Sequence, residues 1–469
     1  MKLIIKNLGP INQSEIDIRH FNIVIGRNNS GKSHLAKAIF AVISTISSPP
    51  ETKEIGRIYD ISMLELNDTL YTDKLLGDKK FSKLQSNLMT VNYDVSDLLV
   101  GIVNNLVDIL NEHLTVIFAT ILNKTFSCSV DELIRLGKDT AEIQLRLSPS
   151  VSFLFSLNRK SRIQAAIKYD QGKLLRALLG NESVMFSLKN MRGKSSSVKV
   201  RRATHLNKIV AEIRHALFRP YNTNCPYYMP AGRSGLIDSW QTIASAWGQL
   251  AAVSISKGLR MPPLPGTAAL FLDNIRSLSN RRNGIFGDFR NSFIKILGGD
   301  IEVTSDRTTG VKDFFYCFEH CQIKHKIPIM SAGSMVKEIG PLYLFATEML
   351  AKGDLFIVEE PESHLHPAAQ SEFAKLSVSM ASEGACFLFT THSDLFLRSV
   401  AHAIYTNMSN KANKNLTPTN LGIYLLSDGP DGSCTKPIII EDYGSIEELS
   451  TFDEVYNELY DREMKSRLS

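Results

Sequence analysis

The chain has 469 residues, 43 % of them hydrophobic and 22 % charged, with a formal net charge of +5 at pH 7. That balance excludes a disordered or collagen-like chain and supplies ample apolar surface for a sizeable core. The mild positive excess permits an anionic partner without demanding one, because net charge bears on association and solubility, not on fold. Cysteines at 128, 225, 317, 321, 386 and 434 form no dense framework, and the chain opens on a strand-like run. The expectation is a reduced, cytoplasmic protein with no signal peptide and no apolar stretch long enough to span a bilayer.

Residues 3–8, 16–18 and 21–25 read as strands, the last an apolar run stopped by Gly26. Residues 34–43 have the spacing of a buried helix, and the polar stretch 44–54, with Ser47, Ser48, Pro49 and Pro50, reads as a linker. Beyond it the pattern is helical to about residue 137. Alternation at 142–147 and 163–169 then predicts a small antiparallel sheet. Because the motifs before and after this stretch belong to one site, it reads as an insertion. The predicted organisation is an α/β core made of 1–45 and 216–469, interrupted by a mainly helical insertion, 46–215. No long heptad run predicts a coiled-coil arm. In the second half, 227–231, 355–358 and 386–389 read as short buried strands. Residues 335–350 read as a helix, kinked or begun at Gly340-Pro341. Buried strands alternating with helices predict a largely parallel sheet.

Gly26-Arg27-Asn28-Asn29-Ser30-Gly31-Lys32-Ser33 fits G-x-x-x-x-G-K-[ST], with a buried strand before it and a helix after it. Glycines let such a backbone curl around phosphates with its N–H groups aimed inward at a helix N-terminus. Lys32 would reach the β- and γ-phosphates, and the Ser33 hydroxyl would ligate Mg²⁺. Four apolar residues then deliver Glu359 and Glu360 to a strand end, where ligands of open α/β sheets bind. Successive strand residues point to opposite faces, so the two acids divide the work. Glu359 is expected to hold Mg²⁺ through water, and Glu360 to polarise the attacking water. Glu359 stands where Asp is usual, and its extra length bears on metal geometry. The next strand ends at Thr390-Thr391-His392, which places His392 as a sensor of the γ-phosphate. Ser331-Ala332-Gly333-Ser334 precedes a helix, as a cap and an anion site would.

In this order the four elements resemble an ABC-type ATPase: Walker A, signature, Walker B with its adjoining D-loop, and switch histidine. More narrowly, Glu359-Glu360-Pro361-Glu362-Ser363-His364-Leu365-His366-Pro367 is similar to a stretch of a bacterial branch. That branch includes RecF-like and OLD-family AAA ATPases and the ATPase subunits of Septu-like anti-phage systems. Tyr228-Met229-Pro230-Ala231-Gly232-Arg233 and Ser334-Met335-Val336-Lys337-Glu338 are similar to stretches found there too. The resemblance covers about residues 1–45 and 220–400, and it implies a P-loop fold with ATP and Mg²⁺ as cofactors. It also implies that two heads of the same chain sandwich nucleotide, with Ser331, Gly333 and Ser334 of one head completing the loop of the other. A nucleotide-driven switch acting on an effector, a nuclease in a defence setting, is the function so implied. The alternative is a RecF-like repair ATPase that clamps DNA itself. No Leu-Ser-Gly-Gly-Gln is present, and no glutamine ends the strand near residue 230. Arg233 and Gln241 stand as alternatives for that role. Residues 393–469 are short for a nuclease domain, so no nuclease site is expected there.

Two basic runs, one at Arg192, Lys194, Lys199, Arg201 and Arg202, the other at Arg276, Arg281, Arg282 and Arg290, lack the aromatic interleaving of single-strand platforms. They read first as solvated surface, with contact to nucleic-acid phosphates as the alternative. Cys317, His320, Cys321 and His325 offer metal-ligand types, but 314–319 reads as a strand and no second CxxC pair supports zinc.

Overall fold

A computed structural model describes residues 1–47, 95–160, 162–190, 198–218, 226–239, 266–278, 286–305, 312–409, 420–440, 446, 458 and 460–461. Its strands are β1 (Lys2–Leu8), β2 (Ile11–Asp17), β3 (Phe21–Gly26), β4 (Thr140–Ser148), β5 (Val151–Asn158), β6 (Arg162–Tyr169), β7 (Pro226–Met229), β8 (Gly299–Ser305), β9 (Lys312–His320), β10 (Ile323–Pro328), β11 (Leu355–Glu359), β12 (Cys386–Thr391), β13 (Leu421–Ser427) and β14 (Ser433–Pro437). The chain divides into two compact units, one of residues 1–9, 41–123 and 128–222, the other of 10–40, 124–127 and 223–469. Residues 1–9 thus fall in the unit that holds most of the predicted insertion, because β1 pairs antiparallel with β4 from Lys2↔Arg146 to Lys6↔Glu142. Residues 44–47 of the predicted linker are helical, and the rest of it lies outside the described residues. Ser44, Thr45 and Ile46 are buried in the helix Lys32–Ser47, where the Thr45 hydroxyl donates back to the Ala41 carbonyl at 2.7 Å.

The first unit is an antiparallel sheet in the order β6-β5-β4-β1. Its alternation is the period-2 pattern seen in the sequence: Ala141, Ile143 and Leu145 of β4 are buried, as are Phe153, Phe155 and Leu157 of β5. The long helix Val95–Phe126 packs on this sheet, with the Phe118 and Phe155 rings 4.2 Å apart. Its segment Leu99–Phe126 has the length and composition of a membrane span, with a mean hydropathy of 1.3, and 44 % of its most apolar window is buried within the protein. This corrects the expectation that no stretch of that length exists. Interruption by Asn104, Asp108, Asn111 and Glu112 breaks the apolar run to the eye without breaking the helix. Two of its polar residues have a structural task. Asn111 Oδ1 accepts from the Ile167 N–H at 2.8 Å, and Thr115 Oγ1 accepts from the Ala165 N–H at 2.9 Å. Residues four apart on a helix thereby satisfy N–H groups two apart on the sheet's edge strand, β6.

The second unit holds strands in the order β2-β14-β13-β3-β12-β11-β7. From β13 to β7 every neighbouring pair is parallel, as predicted, while β14 runs antiparallel to β13. Every residue of β3, β11 and β12 is buried, the signature of parallel strands covered on both faces. Phe21, Phe356, Phe387 and Phe389 form a run of aromatic contacts there, and each such buried ring is worth about 1.5–3 kcal/mol of transfer free energy. A separate antiparallel sheet, β10-β9-β8, also lies in this unit. Only its middle strand was visible in the sequence, at 314–319, and His325 of β10 stacks on Phe318 at 5.1 Å. The helix Ser334–Glu348 runs through Pro341 and starts at 334 rather than at 340. A Cβ on Gly340 would sit 2.5 Å from Ile301 Cδ1, so glycine lets this helix close onto β8.

Candidate nucleotide site

Parallel strands all point their carboxyl ends the same way, so β3, β12, β11 and β7 bring Gly26, Thr391, Glu359 and Met229 to one edge. From that edge residues 27–31 turn into the helix Lys32–Ser47. Glycine is enforced at both ends of the turn. A Cβ on Gly26 would meet the Leu426 carbonyl oxygen at 2.4 Å, and Gly31 has φ +101° with its Cβ position 2.8 Å from Pro10 Cγ. Asn29 takes the left-handed region at φ 62°, which asparagine tolerates. Arg27, Asn28, Asn29 and Ser33 are exposed at the mouth of the loop, whereas Ser30 and Lys32 are buried. The Ser30 hydroxyl has no hydrogen-bond partner among the described residues.

Lys32 is the loop's central charge. Its Nζ donates to the Gly26 carbonyl at 2.9 Å and the Arg27 carbonyl at 2.7 Å, and lies 3.4 Å from His392 Nδ1. Burial pushes the ammonium down to about 8, opposed by the carboxylates of Glu360, Glu362, Asp428 and Glu359. His392 is lowered as well, by burial first and by Lys32 second. Its Nδ1 faces Lys32, and its Nε2 lies 3.9 Å from Glu360 Oε1. Lysine, histidine and glutamate are therefore in line.

The three acids of the 359–362 turn have distinct surroundings. Glu359 is buried, with Oε1 accepting from the Tyr228 hydroxyl at 2.8 Å and Oε2 from the Ala231 N–H at 3.1 Å. Burial and the adjoining carboxylate hold the Tyr228 phenol well above its ordinary value. Glu360 is half-exposed in the left-handed region at φ 46°, with its N–H on the Thr390 carbonyl at 2.8 Å and Oε2 accepting from the Ser363 hydroxyl at 3.1 Å. That conformation costs about 1–3 kcal/mol in a residue other than glycine. Glu362 Oε1 accepts from the His392 N–H at 2.7 Å, fixing the backbone of the histidine, while burial raises the Glu362 carboxyl.

Of the residues singled out in the sequence, the structure gathers Gly26, Lys32, Glu360 and His392 through direct contacts, with Glu359 on the adjoining face. Ser331, Gly333 and Ser334 stand apart. They are exposed, and Gly333 is the N-cap of the helix Ser334–Glu348. Gln241 lies outside the described residues, as do Arg192, Lys194, Arg281 and Arg282. Arg290 of the second basic run is paired with Asp300. Arg233 is wholly buried under the end of β11 and does not reach into the loop. Glu362 and Glu338 had gone unassigned. The signal for Glu338 was a lone carboxylate at the head of the apolar run 339–346.

The fold is of the P-loop type, with an α/β core. Residues 1–196 match the family model described as an AAA ATPase domain, and residues 339–398 match one described as an AAA domain, putative AbiEii toxin, Type IV TA system. Both matches are to ATPase-type domain models, and each covers less than half of the chain. Among solved structures it is similar to an Smc head bound to the C-winged-helix domain of ScpA, at 13 % identity and a TM-score of 0.41, covering 94 % of this chain and 97 % of that one. It is similar to the Smc head domain bound to the C-terminal domain of ScpA derived from Pyrococcus furiosus, at 12 % identity and a TM-score of 0.40, covering 98 % of each chain. The SMC head domain from Thermotoga maritima follows, at 11 % identity and a TM-score of 0.37, covering 93 % of this chain and 97 % of that one. No curated protein matches the chain.

Proposed function

We propose that the chain is an ATP-hydrolysing switch whose heads associate around nucleotide and whose cycle controls an effector, a nuclease in an anti-phage setting. The observation that carries the hydrolytic reading is the alignment of Lys32, His392 and Glu360 at one sheet edge, with contacts of 3.4 and 3.9 Å. Lys32 would hold the β- and γ-phosphates, and Glu360 would accept the proton of the attacking water as the water oxygen bonds to phosphorus and the bond to the ADP oxygen breaks. His392 would orient the γ-phosphate from the same edge. Positioning and charge stabilisation supply most of such a rate. Mg²⁺ fits the donors present. Ser33 offers an exposed hydroxyl, and Glu359, held by one hydrogen bond at each carboxylate oxygen, would support the cation through water. The ion would neutralise phosphate charge. The exposed Ser331, Gly333 and Ser334 at a helix N-terminus support completion of the site by a second copy.

ATP turnover and oligomeric mass, compared across wild type, Lys32→Ala and Glu360→Gln, test this reading. Glu360→Gln should lose turnover by about 10²–10⁴-fold and accumulate an ATP-dependent dimer. Lys32→Ala should form none. A wild type with neither turnover nor a change of mass would sink it.

A further inference from the structure

Arg233 is the largest of the fully buried side chains, and its guanidinium joins three elements. Nη1 donates to the Pro230 carbonyl at 2.8 Å and the Glu359 carbonyl at 2.6 Å, and Nη2 donates to the Glu360 carbonyl at 3.1 Å. Nε lies 3.0 Å from Glu338 Oε2, in an ion pair with both side chains wholly buried. The other Glu338 oxygen accepts from the Ser234 N–H at 3.1 Å. Glu338 sits on the helix Ser334–Glu348, four residues past the exposed Ser334.

A buried ion pair is a poor way to gain stability, since apolar residues of similar volume do as well or better. What a guanidinium adds is a rigid fork that can grip two carbonyls at fixed separation. Here the gripped carbonyls are those of Glu359 and Glu360, consecutive residues, the second in a sparsely allowed conformation that its surroundings must hold. We propose that Arg233 and Glu338 are positioning residues that tie the helix Ser334–Glu348 to the backbone of Glu360, so that whatever seats the helix N-terminus also aligns the proton acceptor. This rests on the hydrolytic reading above. It assigns Arg233 a link to the acidic strand instead of a contact with phosphate.

The test compares turnover, affinity for a fluorescent ATP analogue and thermal midpoint in wild type, Arg233→Lys and the pair Arg233→Met with Glu338→Leu. Lysine keeps the charge opposite Glu338 but cannot span both carbonyls. Its kcat should fall about 10²-fold, the scale expected for a displaced catalytic group, while affinity for the analogue stays near wild type. The apolar pair should regain the wild-type thermal midpoint without regaining turnover, a split that a purely stabilising ion pair would not produce. Wild-type kcat in Arg233→Lys, or recovery of turnover in the apolar pair, overturns the proposal and leaves the ATPase reading standing. If the apolar pair does not fold, Arg233→Lys decides alone. Absence of turnover in the wild type overturns the ATPase reading and the proposal with it.

Discussion

The two units dispose of their strand ends in opposite ways. In the β13-β3-β12-β11-β7 run every strand ends at the same edge, so Lys32, Glu359, Glu360 and His392 converge although they come from distant parts of the chain. In the β6-β5-β4-β1 sheet the direction alternates, and successive strand ends fall on opposite edges. Its notable polar contacts, from Asn111 and Thr115, close a sheet edge. Parallel pairing collects chemistry, and antiparallel pairing spends its polar groups on structure. The lesson is one of direction: the same layering of helix on sheet gives a reactive edge only where the strands agree.

That contrast can be broken in either unit. The largest effect belongs to the parallel edge, in the loss of turnover expected of Glu360→Gln with nucleotide binding retained. Next comes Phe118→Ala in the antiparallel unit. Deleting a fully buried ring packed at a tilt against Phe155 should cost about 3–5 kcal/mol, read as a lowered unfolding midpoint, with kcat unchanged at temperatures where the protein stays folded. A parallel drop in kcat would show that the units do not divide the labour as described.

Smaller effects sharpen the picture. Asn111→Ala strips the Ile167 N–H of its acceptor, for about 1–3 kcal/mol, and hydrogen exchange at that amide should quicken while the amides of β4 keep their protection. The smallest signal is a fraction of a proton. Lys32 is held down to about 8, so at pH 8.5 part of the population is neutral. Phosphates beside it favour the ammonium, and nucleotide binding should therefore take up protons at pH 8.5 and almost none at pH 6.5. The sign follows from a pKa lowered in the protein and raised by an anionic ligand. Calorimetry in buffers of different ionisation enthalpy measures the uptake, and Lys32→Ala should abolish it. Uptake that survives the substitution would assign the proton to another group.

Much of the parallel edge was readable because its signals are local. The loop 26–33 is a contiguous pattern between an apolar strand and a helix, and the acids 359 and 360 terminate an apolar run. The Arg233–Glu338 pair was not readable, since its partners lie 105 residues apart and only the packing of a helix under β11 brings them together. Neither was the membership of residues 1–9, which depends on a partner strand at 142–146. The continuity of helix Ser334–Glu348 through Pro341 runs against local propensity. It holds because a wholly apolar face from Ile339 to Ala346 is buried against the core. The helix at 95–122 was legible from its pattern, whereas the task of its polar residues was not, because their partners on β6 come later in the sequence.

That order has a consequence for biosynthesis. The helix Val95–Phe126 leaves the ribosome before β5 and β6, against which Phe118, Thr115 and Asn111 find their partners. At about 5–20 residues per second, the surface that β5 and β6 later cover stays open on the nascent chain for seconds.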